Sequence, residues 1–379
     1  MGSQRLLRAA LAVFTALAAI WPTEGYRTGR IGAPDVFAVR TPRRSKAGSS
    51  PAQLQMQMRR PLARRDLLAG LVAPVLWRGD GAGAAIPLEE AATVKFGELQ
   101  VPAMGVGAWA WGDQAVWGFG TAAGASEASI EGAFRASLDS GVTLVDTAEV
   151  YGLGVSETII GKLLAATPAD LRSRVQVATK FYPVDPKSNL PRRARDLLPA
   201  LDASLARLQL PSVDLYQVHN PGFLPGKALG AALAEAVKSG RCKAVGVSNF
   251  SLREMMPVYE ALEKEGILLA SNQVEFSLLR QLPLTGGLLS ACRGLGVGVM
   301  AYSPLGMGRL TGKYDARNKA PGGRFFGRVD DGRLDALATA MREVGAVHGG
   351  KTPAQVTLAW RTGQCDSLLL TGCPRALLS

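Results

Sequence analysis

The chain has 379 residues, 47% of them hydrophobic, so it can bury a large core in one big domain or two ordinary ones without disulfides or metal. Its net charge of +12 hints at a nucleic-acid partner, but ten of those charges fall in residues 1–78; the rest is nearly neutral, which removes the main support for that reading. The four cysteines, Cys242, Cys292, Cys365 and Cys373, form no C-x-x-C pair and have no zinc-like spacing, so no metal site is expected and they read as buried or incidental thiols.

Residues 1–90 read as a targeting leader. Arg5 and Arg8 precede an apolar run at 9–20, which is too short for a membrane span of about 20 residues and fits a secretory-type signal. Residues 26–65 are Arg-, Ser- and Pro-containing and poor in acid, as in a transit peptide. A second apolar run at 67–77 follows Arg64-Arg65 and precedes Ala82-Gly83-Ala84, which resembles a thylakoid transfer signal. A signal followed by a transit peptide points to a plastid bounded by extra membranes. The plainer alternative is one long leader with chance arginine pairs. No stable span is expected in the mature protein.

From about Ala91 onward, short Val- and Leu-rich runs alternate with amphipathic stretches. The runs lie at 104–107, 141–146, 174–180, 213–219, 241–248, 268–273, 296–302 and 367–371, and they have the character of strands buried on both faces. Helical patterns at 127–140, 196–208, 227–239 and 252–264 lie between them; Leu197, Leu201, Leu205 and Leu208 mark one face of the second. Eight strands alternating with helices predict an α/β fold, a closed (β/α)₈ barrel filling residues 91–379.

Polar side chains recur at the C-terminal ends of these strands: Asp146, Lys180, His219, Ser248-Asn249, Gln273 and Tyr302-Ser303. In such a barrel those ends share one mouth. Taken singly, Tyr151 reads as a half-buried surface tyrosine, Lys180 as a solvated strand end, and His219 as a core histidine satisfied by backbone. Taken together they make a proton-transfer set. Asp146 holds Lys180, the ammonium lowers the pKa of the Tyr151 phenol, and His219 orients a carbonyl oxygen or relays a proton.

The string Gly141-Val-Thr-Leu-Val-Asp-Thr-Ala-Glu-Val-Tyr-Gly152, with Ser156-Glu157 and Ile160-Gly161, resembles the first signature of the aldo-keto reductase family. Val177-Ala-Thr-Lys180, Asp214-Leu-Tyr-Gln-Val-His219, Val245-Gly-Val-Ser-Asn-Phe250, Asn272-Gln273-Val-Glu275 and Ala301-Tyr-Ser-Pro-Leu-Gly306 continue the resemblance in order. The opening Gly105-Val-Gly-Ala-Trp-Ala-Trp-Gly112 is most similar to plastid members, which agrees with the leader.

The resemblance implies NADPH as cofactor and a small carbonyl compound as substrate. It implies Tyr151 as general acid, tuned by Lys180 and Asp146, with His219 placing the carbonyl. Ser248, Asn249 and Gln273 are implied to hold the nicotinamide carboxamide, Tyr302 to stack under the ring, and Ser303, Leu305 and Gly306 to line the pyrophosphate. Trp109, Trp111 and Trp117 are pocket walls or plain core packing. The resemblance also implies a basic stretch and a closing helix after the last strand. The sequence ends at Ser379, so the expectation is a barrel short of that helix, with Arg375 gripping the 2′-phosphate. Regeneration of the cofactor favours the stroma over the thylakoid lumen. The competing function is a non-catalytic nicotinamide-binding redox sensor or scaffold on the same barrel.

Overall fold

Eight parallel strands close on themselves in the computed structural model, which describes residues 93–121, 124–315, 318, 331–364 and 367–372. The expected leader, Arg375, Cys365, Cys373 and the stretch where a closing helix is implied lie outside the described residues. A two-stranded hairpin, β1 (Thr93–Phe96) and β2 (Leu99–Pro102), comes first. The barrel strands are β3 (Met104–Gly107), β4 (Leu144–Asp146), β5 (Gln176–Phe181), β6 (Val213–Val218), β7 (Cys242–Ser248), β8 (Leu269–Glu275), β9 (Gly298–Tyr302) and β10 (Ser367–Gly372). Each pairs with its sequence neighbour, and β10 pairs with both β9 and β3, which closes the ring.

Helices cover the outside: α1 (Glu127–Asp139), α2 (Val155–Ala165), α3 (Leu197–Leu208), α4 (Gly226–Lys238), α5 (Leu252–Lys264), α6 (Leu288–Leu295), α7 (Asp331–Val347) and α8 (Pro353–Thr362). Their starts are written locally. Ser126 and Ser251 each accept a hydrogen bond from the third residue of the helix that follows, and Ser129 and Glu254 reach back in return. The expected apolar face of α3 is buried at Leu197, Leu201, Leu205 and Leu208. The main core lies between the strands and this outer layer. Cys242 and Cys292 are both buried, and burial pushes the Cys242 thiol up to about 12, which keeps it protonated at neutral pH. Among the described residues, no cluster of side chains could hold a metal, and no helix is long and apolar enough to cross a membrane.

The hairpin β1–β2 has no counterpart among the elements expected from sequence. It is only four residues to a strand and buries just Phe96 and the Val101-Pro102 pair, so its periodicity is too short to register. Gly97, at φ 58° in the two-residue turn, was the legible signal. The hairpin plugs the N-terminal end of the barrel. Phe96 and Val101 join Leu144, Ala178, Leu215, Ala270, Met300 and Leu368 in one apolar cluster. The Phe96 ring fills the space over Gly298: a Cβ there would come 2.1 Å from the ring's Cδ1. The hairpin thus sits at the end of the barrel opposite the polar residues.

Phe96 is therefore a stability residue remote from the chemistry. Phe96→Ala should cost about 3–5 kcal/mol of stability, read as a lower urea midpoint. An unchanged midpoint would show that the plug carries no weight.

Candidate active site

The turn after β4 carries Tyr151 and is built from left-handed backbone. Gly152, Leu153 and Gly154 have φ of 56°, 56° and 95° in succession. This bends the chain sharply from the rim into α2. Leu153 adopts this conformation without a glycine's freedom, so the turn stores strain of about 1 kcal/mol or more. Packing beneath it holds the turn. Ser156 shares a 2.8 Å hydrogen bond with Thr147 and donates to the Ala108 carbonyl at 3.0 Å. Glu157 is fully buried; it accepts from Thr179 at 2.5 Å and from Arg207 Nε at 2.6 Å. The motif Ser156-Glu157 thus pins the first turn of α2 to three strands or their ends.

Lys180 and Asp146 form a buried ion pair, Nζ to Oδ2 2.5 Å. The ammonium also donates to the Thr147 carbonyl at 2.8 Å and to the Tyr151 hydroxyl at 3.4 Å. All three of its protons therefore have acceptors. The other carboxylate oxygen of Asp146 accepts from Gln273 Nε2 at 2.9 Å and from Gln217 Nε2 at 3.3 Å. Burial pushes the Lys180 ammonium below its usual range, and Asp146 opposes that shift.

The phenol behaves differently from the expectation. Burial, followed by the negative charge of Asp146, pushes the Tyr151 hydroxyl well above its ordinary value instead of lowering it. Burial disfavours the charged phenolate first, and the nearby Asp146 carboxylate, paired with Lys180, adds to that. Tyr151 is thus held firmly protonated at neutral pH.

His219 stands just past β6, its ring edge-on to Tyr151 with centroids 5.6 Å apart and edge-on to Tyr182 at 5.5 Å. Burial, helped by the nearby Lys180 charge, pushes its pKa down to about 3, so the ring is neutral in the physiological range. Its Nδ1 is buried and has no hydrogen-bond partner among the described residues.

A second group of polar residues continues round the rim. Tyr302 donates to Asn249 Oδ1 at 2.9 Å; Asn249 Nδ2 donates to the His219 carbonyl at 3.0 Å and to Ser248 Oγ at 3.1 Å. Ser248 Oγ donates to the Gln273 carbonyl at 2.9 Å. With the Gln273–Asp146 bond, this chain joins Tyr302 to the ion pair. Gln273 thus spends its amide hydrogen on Asp146. Beyond β9 the backbone turns left-handed at Ser303, Gly306, Met307 and Gly308, with Leu305 between them. At Gly306 a Cβ would come 2.9 Å from Leu279.

Of the three tryptophans, two meet the site. Trp109 stacks on Tyr151 with centroids 6.0 Å apart, and Trp117 meets Trp109 edge-on at 5.6 Å. Trp111 is fully buried edge-on to Phe134 in the outer core, so packing takes it out of the pocket wall. Side chains not singled out from sequence also take part. Tyr182 lines the histidine. Arg192 bonds Glu149 at 2.6 Å and Asp185 at 2.9 Å, which ties the loop after β5 to the segment bearing Tyr151. Arg192 lies well past β5 in a polar loop, where spacing gives no signal; Gln217, inside the quoted motif, was within reach.

Residues 103–369 match the model of the aldo/keto reductase family. The chain is 35% identical over 281 residues to a chloroplastic pyridoxal reductase of Arabidopsis thaliana, covering 70% of this chain and 74% of that one. It is 31% identical over 294 residues to an NADP(+) aldo-keto reductase of Schizosaccharomyces pombe, covering 73% and 81%. An aldo-keto reductase from Klebsiella pneumoniae, solved with NADPH, superposes with a TM-score of 0.57 at 29% identity, covering 75% and 85%. The chain belongs to the aldo/keto reductase family.

The buried histidine gives a direct check. Because the unfolded chain binds this proton near its ordinary value of 6.5 and the folded one only near about 3, the contribution of His219 to stability is present above pH 6.5 and is lost as pH falls toward 3. Ring-nitrogen NMR, assigned with His219→Gln, should find the His219 ring neutral at pH 5. A ring titrating near 6.5 would contradict the burial.

Proposed function

We propose that this chain reduces an aldehyde or ketone to an alcohol, with NADPH as cofactor and Tyr151 as the proton donor. The observation that carries this is the donor pattern at Lys180: the ammonium donates to the Tyr151 oxygen, so the phenol keeps its own O–H for a substrate oxygen. A phenol held protonated by burial is an acid in the correct state at neutral pH. As the carbonyl oxygen gains negative charge, it takes that proton, and the phenolate left behind lies beside Lys180 until water returns the proton. His219, neutral and edge-on to Tyr151, offers the oxygen a second hydrogen bond. Asp146 holds Lys180 in place.

The rim residues suit a nicotinamide dinucleotide. Ser248 and Asn249 are neutral hydrogen-bonding groups fit for a carboxamide, with Gln273 bracing them from below; Tyr302 supplies an aromatic face. The turn beyond β9, left-handed at Ser303, Gly306, Met307 and Gly308 with Leu305 within it, is where the pyrophosphate would lie. Bound NADPH supplies the hydride from nicotinamide C4. The NADP(H) named with the yeast relative and the Klebsiella structure supports this choice over NADH.

Residues 1–90 serve as the leader and 91–379 as the enzyme, in a plastid stroma; the chloroplastic Arabidopsis relative supports that location. The same relative makes pyridoxal and other aromatic aldehydes the first substrates to assay.

Tyr151→Phe should lower kcat for aldehyde reduction about a thousandfold while the NADPH dissociation constant stays within a factor of about two. Stopped-flow absorbance and fluorescence titration measure the two. An unmutated protein that binds NADPH but turns over no aldehyde, ketone or quinone would instead be a nicotinamide sensor.

A further inference from the structure

We propose that Asp113 is a positioning residue that sets the preference for flat aromatic carbonyl substrates by locking the two tryptophans of the pocket wall. This rests on the reading of the rim as a carbonyl-reducing site. Asp113 is 8% exposed and uses both carboxylate oxygens. Oδ2 accepts from the Trp109 indole Nε1 at 3.0 Å. Oδ1 accepts from the Val116 backbone N–H at 2.9 Å and so caps the short helical turn Gln114–Trp117, which carries Trp117. One carboxylate therefore fixes one indole by its ring nitrogen and the other through the backbone beneath it.

The two rings meet nearly at right angles, 82°, and Trp109 lies 25° from the plane of Tyr151. Through the Tyr151 ring they join His219 and Tyr182 in one continuous run of aromatic rings. A flat aromatic substrate gains most from such walls, because its ring faces and edges match theirs. A small aliphatic aldehyde meets the same hydroxyl but has little surface to offer the indoles.

The loop is seated directly on the Tyr151 turn. A Cβ at Gly152 would fall 2.3 Å from the Gly112 carbonyl oxygen, and a Cβ at Gly112 would fall 2.5 Å from Val155. Backbone thus touches backbone one residue before Asp113 and one after Tyr151. The tryptophan loop and the turn that bears the proton donor thus share a backbone contact, and Asp113 is where that loop is tied. Its sequence signal is the Asp of Trp111-Gly-Asp113, an N-cap residue placed before a short apolar segment.

Asp113→Asn tests this, because one amide cannot present an oxygen to both donors. Asparagine caps a helix about as well as aspartate, so its oxygen stays on the Val116 N–H and the indole bond is the one lost. The variant should lower the ratio of kcat/KM for 2-naphthaldehyde to kcat/KM for propanal about tenfold, chiefly through KM for the aromatic aldehyde. In the Trp109→Phe background, where no indole nitrogen needs an acceptor, Asp113→Asn should change that ratio by less than about a factor of two. The NMR signal of the Trp109 indole N–H, assigned with Trp109→Phe, should shift in Asp113→Asn without any substrate present. An unmoved signal, or a ratio that falls equally in both backgrounds, overturns the proposal. If no carbonyl is turned over but the indole signal shifts, the reading of the site as a reductase fails while the tie between Asp113 and Trp109 stands.

Discussion

The structure turns on one buried ion pair, Lys180 with Asp146, 2.5 Å apart at the open end of a barrel. Burying two charges costs several kcal/mol per ion unless every donor and acceptor is matched, and breaking such a pair by losing one member costs about 3–5 kcal/mol. Here the matching is supplied by strands β4, β5, β6 and β8. Gln217 and Gln273 spend their amide hydrogens on Asp146, and Thr147 gives a backbone carbonyl to the ammonium. The pair fixes the register of those strand ends, and the strand ends in turn fix where the phenol sits. Fold and chemistry meet at that point.

The two ends of the barrel divide the labour. At the base, the hairpin closes the interior with apolar contacts and the Asp214 carboxylate ties β6 to the Val177 N–H and to Lys243. At the mouth, the chain tolerates costly features: left-handed backbone at Leu153, Asn249, Ser303 and Met307, and buried polar atoms of Gln217 and His219 that find no partner among the described residues. Such features are not confined to the mouth, since Asn189 and Gln209 are also left-handed, but those at the mouth border the residues that carry the chemistry.

Much of this was legible in the sequence, for a physical reason. Strands buried on both faces leave Val- and Leu-rich runs, and the residue that ends each run is forced into the mouth, so Asp146, Lys180 and His219 announce themselves by position. What escaped depends on contacts between distant segments. Trp111 and Trp109 look alike in the sequence, yet one is turned into the outer core and the other onto Tyr151. Arg192 acts from the middle of a polar loop. The direction of the Tyr151 shift escaped as well, because it depends first on how completely the phenol is buried and then on how near Asp146 lies, neither of which spacing along a chain can supply.

The most direct test of the whole account is single-turnover reduction of an aromatic aldehyde by Lys180→Met with saturating NADPH. The account predicts a fall in the reduction rate of about a thousandfold, with cofactor affinity little changed, because the phenol loses the cation that receives its negative charge. A variant that reduces the aldehyde within a few-fold of the unmutated rate would contradict it, and would mean that the buried ion pair holds the barrel together without serving the chemistry.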